Sequence, residues 1–60
     1  MIEFIGVCGK KIAIDPNSVN YIQESVLMDV PCTLICFKNN KKMFVKEKYD
    51  VVKKRLENVV

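Results

Sequence analysis

The sequence predicts an α+β domain, a small twisted antiparallel sheet of about five strands followed by one C-terminal helix. Short runs of β-branched and aromatic residues, separated by turn residues, fill positions 1–45. Turn signals within them predict two β-hairpins joined by a linking strand. After Val45 the apolar residues recur every three or four positions, which indicates an amphipathic helix.

The first hairpin covers positions 2–14. Gly9 accommodates a positive φ, so we expect a two-residue turn over Cys8 and Gly9. That turn sets Ile5 opposite Ile12, and with this register neither face of the hairpin is plainly polar.

A linking segment follows the first hairpin. Asp15 is suited to cap a short helical turn that has Pro16 at its first position. Residues 19–24 alternate and predict the linking strand, and residues 25–31 are expected to form a loop. Loops usually lie on the surface, so the apolar residues of this loop either fold back or meet a protein partner. These residues are Val26, Leu27 and Met28.

The second hairpin, residues 32–45, is the centre of the predicted fold. Asn39 and Asn40 suit a two-residue turn that sets Cys36 opposite Met43. One predicted face carries Thr33, Ile35, Phe37, Lys42 and Phe44. The other carries Cys32, Leu34, Cys36, Met43 and Val45. Neither face is polar, and a register shift of one residue leaves both apolar, so both faces need a cover.

The predicted helix, about residues 48–58, carries one apolar stripe formed by Tyr49, Val52, Leu56 and Val59. We expect it to cover the sheet face that carries Ile35, Phe37 and Phe44. Two alternatives remain for the face that carries Cys32, Leu34, Cys36, Met43 and Val45. Either the first hairpin folds over it, giving a small barrel or sandwich, or it is a homo-oligomer interface.

Length and composition bound the function. Sixty residues predict a single domain, 1–60, and so small a unit gains stability by oligomerising. We expect no signal peptide, because the N-terminus lacks a basic segment and a long apolar core. Three cysteines cannot all pair within the chain, which favours a reducing, cytoplasmic setting. No apolar run approaches the roughly 20 residues of a membrane span.

The sequence argues against an enzyme, a metal site or a cofactor. It contains no histidine, its carboxylates are scattered, and it has no glycine-rich phosphate loop. Cys32 and Cys36 would lie about 13 Å apart along one strand, too far for a disulfide or a shared metal. We therefore interpret the cysteines as small buried apolar residues.

Lysines cluster at the two predicted hairpin tips: Lys10, Lys11, Lys38, Lys41 and Lys42. With a net charge of +3, they are candidates for binding nucleic acid or a small anionic ligand. Nine of the ten basic residues are lysine, so bidentate reading of bases by arginine is nearly unavailable. The alternative is an ordinary solvated surface that also protects sheet edges.

Several short motifs resemble the FlbD/SwrD family of small flagellar proteins. They are the segments 1–4, 9–11, 14–16 and 19–24, then Asn39-Asn40-Lys41-Lys42, 45–47 and a short helix. The chain departs from the family at Asn40, where glycine is usual, at Lys48, where serine is usual, and in its apolar 26–31 segment. The resemblance implies a small cytoplasmic accessory protein. A weaker likeness is to LytTR-type DNA-binding domains.

We therefore expect a non-enzymatic cytoplasmic binding or adaptor module that forms a homo-oligomer and presents an assembled surface to a protein partner. The alternative is a protein that binds nucleic acid or a small anionic ligand in a groove between subunits, rimmed by the lysine tips. A phage-encoded inhibitor or ligand-sequestering protein would fall between these two classes.

Overall fold

A computed structural model describes residues 1–57 and confirms the α+β class, with five antiparallel strands and one C-terminal helix. The strands form a two-stranded sheet, β1-β2, and a three-stranded sheet, β3-β4-β5. The elements are β1 Ile2–Ile5, β2 Lys11–Ile14, a 3-10 turn Pro16–Ser18, β3 Val19–Leu27, β4 Val30–Phe37, β5 Lys42–Val45 and α1 Tyr49–Glu57.

The first hairpin forms, but its predicted register is wrong by one residue, since Phe4 rather than Ile5 lies opposite Ile12. The loop has three residues, because the Gly6 N–H donates to the Lys10 carbonyl at 2.8 Å. A two-residue I′ turn needs positive φ at both positions, whereas this loop has it only at Gly9, with φ 88°. A type I turn followed by one left-handed residue meets that constraint.

The second hairpin shows the same shift for the same reason. The Phe37 N–H donates to the Lys41 carbonyl at 2.8 Å, which leaves a three-residue loop. Asn40, with φ 70°, is the loop's left-handed residue. Ile35 consequently lies opposite Met43, and Thr33 lies opposite Val45.

This register corrects the predicted composition of the two sheet faces. Met43 and Val45 join Thr33, Ile35 and Phe37 on the side that faces the core, whereas Phe44 points to the opposite side. Val45 is fully buried in the core cluster. It therefore belongs to the interior of the chain and not to an outward surface.

The predicted 25–31 loop is wrong, because most of that segment is strand. Leu27 pairs with Val30 across a two-residue turn at Met28 and Asp29. These turn residues have φ of 51° and 63°, as a I′ turn requires. Pro31 is tolerated in β4 because it lies beyond the last residue of β4 that pairs with β5.

The first hairpin and the helix cover the same face of the three-stranded sheet. Gly6 makes an isolated bridge to Val45, and the Lys46 N–H donates to the Ile5 carbonyl at 2.8 Å, so the end of β1 meets the free side of β5. The Glu47 carboxylate accepts from the Ile5 N–H at 3.1 Å. The buried core is formed by Phe4, Ile14, Ile35, Val45 and Val52.

Once its register is corrected, the first hairpin packs one face on the core, and its opposite face mixes charged residues with Ile5 and Ala13, so neither face is plainly polar, as predicted. Ile2, Phe4, Ile12 and Ile14 face or border the core. Glu3, Lys11 and Ala13 of the opposite face are exposed. This arrangement is typical of an antiparallel pair that covers a core with one side and meets water with the other.

The helix is attached to β1 through Arg55. Its guanidinium lies 4.5 Å from the centre of the Phe4 ring, and its Nη2 donates to the Glu3 carbonyl at 2.6 Å. Val52 of the predicted stripe is fully buried, and Leu56 is partly buried against the same core. Val59 lies outside the described residues.

Two smaller features complete the fold. The Asp15 carboxylate accepts from the Asn17 N–H at 3.0 Å, which confirms the predicted cap of the 3-10 turn. Within residues 1–57 no helix has the length and apolar character needed to cross a membrane.

Candidate functional site

One side of the three-stranded sheet contributes no residue to the core cluster of the described chain, and we call this side the outer face. It consists of alternate residues on the three strands, which place their side chains on one side of the sheet. Its residues are Tyr21, Gln23, Ser25 and Leu27 of β3, Val30, Cys32, Leu34 and Cys36 of β4, and Lys42 and Phe44 of β5. Lys46 borders the same face.

The centre of the outer face is apolar. All four outward residues of β4 are apolar, and Leu34 lies between Gln23 and Phe44. Its neighbours Cys32 and Cys36 are buried, whereas Leu34 and Phe44 remain partly exposed. A solvated face of an antiparallel sheet is normally polar, so this face is suited to contact another apolar surface.

The outer face is concave at the end where β3 turns into β4. The Met28 side chain is 96% exposed and that of Val30 is 58% exposed. A depression of about 370 Å³ lies there, large enough for a bulky apolar side chain. It is lined by Val7, Leu27, Met28, Val30, Cys32 and Lys46.

The charges on the outer face have one sign. Lys42 is the first residue of β5, and Lys46 directly follows the last one. The two lysines therefore flank Phe44, and both are exposed. None of the outward residues of β3, β4 and β5 is acidic. The face therefore combines an apolar centre with a positive border along β5.

Tyr21 and Cys36 form a cross-strand pair at the far end of the outer face. Hydrogen bonding to the Cys36 sulfur, followed by the electrostatic interaction with that side chain, raises the pKa of the Tyr21 phenol above its usual value. Because its pKa is raised, Tyr21 retains its proton at neutral pH, and its half-exposed ring forms part of the surface at this end of the outer face.

The structure distributes the predicted interface residues over two sides of the sheet. Cys32, Leu34 and Cys36 lie on the outer face, whereas Met43 and Val45 face the core. The corrected register places Phe44 on the outer face instead. The sequence alone did not separate the two registers, because asparagine tolerates positive φ at both tip positions, whereas in the structure only Asn40 takes it.

The three residues of the predicted partner loop also separate. Leu27 lies on the outer face and Met28 in the adjoining turn. Val26 is on the opposite side of β3, where it lines a cleft of about 540 Å³ beside Tyr49 and Asp50 at the start of the helix. Sequence reasoning did not assign Val7, Val30 and Lys46 to this region.

The two lysine clusters are not brought together within one chain. Lys10 and Lys11 follow the tip of the first hairpin, and Val7 of that tip lies beside the β3–β4 turn. Lys38, Lys41 and Lys42 lie at the opposite end of β4, an eight-residue strand about 24 Å long. Lys41 and Lys42 instead line a separate cleft of about 360 Å³ with Asn20, Tyr21, Cys36, Phe37 and Asn40.

Within the described part of the chain, no group of three or more histidine, cysteine, aspartate or glutamate side chains is placed to hold a metal ion. The three cysteines are free thiols, with Cys8 exposed at the first hairpin tip and the other two buried.

Comparison of this chain with protein-family models, with curated protein sequences and with solved structures gives no significant match.

Proposed function

We propose that this chain is a non-enzymatic protein-binding module of the adaptor type, which works as a homo-oligomer in the cytoplasm. Its outer face binds an amphipathic helix that has an apolar stripe and acidic flanking residues. The observation that carries the proposal is the uncovered apolar column on β4 beside the positive border formed by Lys42 and Lys46.

The dimensions of the outer face suit one helix. Three adjacent strands span about 10 Å from the first to the third, which matches the diameter of an α-helix. The length of β4, about 24 Å, accommodates roughly 16 helical residues. One large apolar side chain of that helix would occupy the depression between Val7 and Val30.

The charge pattern selects the partner's chemistry. An acidic residue beside the apolar stripe would lie near Lys42 or Lys46, and no acidic side chain on the outer face repels it. Two outer faces stacked on each other would instead place lysines of both copies in one interface. The outer face therefore fits a different molecule better than a second copy of itself.

A direct test measures the binding of a fluorescent 16-residue amphipathic helix by anisotropy. Two peptides share one apolar stripe and differ only in carrying glutamate or lysine at the flanking positions. We expect the acidic peptide to bind about tenfold more tightly, because two complementary rim charges of about 0.7 kcal/mol each together contribute about 1.4 kcal/mol. Equal affinity for the two peptides would contradict the proposed partner.

Variants of the chain locate the binding surface. Lys42→Glu combined with Lys46→Glu should reverse the preference from the acidic to the basic peptide. Leu34→Asp should abolish binding of both, whereas the matched control Ala13→Asp, at an exposed position of the first hairpin, should bind as the original chain does. Retention of binding by Leu34→Asp would place the peptide elsewhere.

The oligomeric and cytoplasmic parts of the proposal have separate support. The exposed free thiol of Cys8 is compatible with a reducing compartment. A domain of 60 residues has a limited core and gains stability by association. The resemblance to the FlbD/SwrD family supports an accessory role in which the chain presents an assembled surface to another protein.

A second candidate function is the binding of a small anionic ligand or nucleic acid at the cleft beside Lys41 and Lys42. The observation that favours it is that two asparagines, Asn20 and Asn40, line the same cleft as the two lysines. Phosphate contacts of this kind weaken steeply as salt is added.

Titration with inorganic phosphate and with a short single-stranded oligonucleotide tests this candidate. The double variant Lys41→Glu, Lys42→Glu should abolish the binding. The control Lys10→Glu, Lys11→Glu, which changes the other lysine cluster, should bind as the original chain does. Equal losses in the two double variants would indicate attraction by net charge alone.

A further inference from the structure

Strand β3 is an unprotected edge of the three-stranded sheet. It runs for nine residues, Val19–Leu27, and pairs only with β4 within residues 1–57. It contains no lysine, arginine or proline, the residues that commonly prevent an edge from pairing with another strand. By contrast, β5 meets Gly6 at its free side, and the four-residue β2 carries Lys11.

The hairpin geometry determines which backbone groups of β3 are free. In a two-residue hairpin the residues beside the turn, Leu27 and Val30, form a hydrogen-bonded pair. The bonded positions then alternate, so residues 25, 23 and 21 point their N–H and C=O groups toward β4. The same groups of Ile22, Glu24 and Val26 point away from the sheet.

We infer that β3 pairs antiparallel with β3 of a second copy about a two-fold axis at Gln23. This inference specifies the interface of the proposed homo-oligomer and rests on that proposal. Gln23 is the midpoint of Val19–Leu27, and this register pairs the regular part of the two strands, residues 21–25, up to the β-bulge between Val19 and Tyr21. Ile22 lies opposite the partner's Glu24, which gives four backbone hydrogen bonds between Ile22 and Glu24 of the two chains.

Charge supports this register over the neighbouring one that has its axis at Glu24. An axis at Glu24 would place two carboxylates directly opposite each other, which is destabilising. An axis at Gln23 instead places two amide side chains opposite each other, and these can hydrogen-bond. The register also lets the symmetric pair close into a dimer with no further free copy of β3.

Pairing through β3 joins the two outer faces into one surface. Opposite residues of paired strands share a face, so Tyr21 lies beside the partner's Ser25 on the same side as Leu34. The dimer thus presents a six-stranded sheet with two apolar columns and a lysine border along each outer margin. It can bind two helices side by side, or one longer partner.

Disulfide cross-linking at the axis tests the register. At a non-hydrogen-bonded pair the two Cα atoms lie about 4.5 Å apart, within the range of a disulfide. In a Cys8→Ser background, Gln23→Cys should therefore form a covalent dimer of twice 6.9 kDa in the presence of oxidised glutathione. The matched control Val26→Cys, an exposed position of the same strand opposite Pro31, would have its two Cα atoms about 21 Å apart and should yield less than about a tenth as much.

The mass in solution, measured by light scattering across the micromolar range, separates the possible failures. A dimer that Gln23→Cys does not cross-link overturns the pairing through β3 but leaves the homo-oligomer. A monomer at every concentration overturns both. Peptide binding to the outer face is measured independently of either result.

A proline substitution tests the role of the free backbone groups. Glu24→Pro removes an N–H that points away from β4, so it should yield a folded monomer, whereas Glu24→Ala should remain a dimer. Folding of the proline variant is checked by circular dichroism. If it is unfolded, the cross-linking result decides the inference; if it is a folded dimer, the inference is wrong.

Discussion

Truncation of Val52 measures how far the helix stabilises the sheet. Val52 is fully buried in the core cluster, on the side opposite the outer face. Val52→Ala removes about two methylene groups, which costs about 1.6 kcal/mol in transfer free energy. The remaining cavity adds about 1 kcal/mol to this cost, whereas the higher helix propensity of alanine lowers it by about 0.5 kcal/mol. We expect the free energy of unfolding to fall by about 2 kcal/mol.

The control for this prediction is the adjacent residue. Val51 lies in the same helix but is 45% exposed, and Val51→Ala has the same gain in helix propensity. The two variants are compared by urea unfolding and by thermal unfolding, both followed by circular dichroism. We expect Val52→Ala to lower the melting temperature by roughly 8–16 °C and Val51→Ala to change it little. Equal effects of the two substitutions would refute the burial of Val52 in the core.

Three further predictions follow from individual contacts. Arg55→Lys should lower the unfolding free energy by about 1 kcal/mol, measured by urea unfolding, because lysine loses the planar stacking on Phe4. Gly9→Ala should cost about 1 kcal/mol in the same assay, because φ is 88° there while the space around a new Cβ is open; an unchanged stability would contradict the left-handed loop residue. The pKa of Tyr21, followed by tyrosinate absorbance with the other tyrosine replaced by phenylalanine, should lie above the usual value and fall in Cys36→Ala. Since the folded state holds this proton more tightly than the unfolded state, the associated stability is present below the ordinary tyrosine pKa and is lost as the pH rises through the folded value.

The elements themselves were largely predictable from local signals. Asp15 and Pro16 predicted the capped turn, and the spacing of Tyr49, Val52 and Leu56 predicted the helix, because both features depend on neighbouring residues. The strand at 25–31 was missed because Pro31 and Asp29 are typical loop residues. Its turn is instead formed by Met28 and Asp29 with positive φ, which is uncommon for residues other than glycine and asparagine.

The candidate site was less predictable than the strands, since it depends on hairpin register. A change of one residue in loop length exchanged Phe44 with Met43 and Val45 between the sheet faces. Cys32, Leu34 and Cys36 kept their common side because they belong to one strand with a period of two.

The amino-acid sequence by itself determined the fold class and predicted that both faces of the central hairpin are apolar, since these follow from composition and local periodicity. Only the tertiary structure decided which face is covered. The first hairpin crosses to the helix side because the Gly6–Val45 bridge and the Glu47 bond to Ile5 place β1 beside β5. Both contacts join residues about 40 positions apart, and no local pattern encodes that pairing. Because the first hairpin and the helix lie on the same side, the outer face and the free edge of β3 remain available for partners.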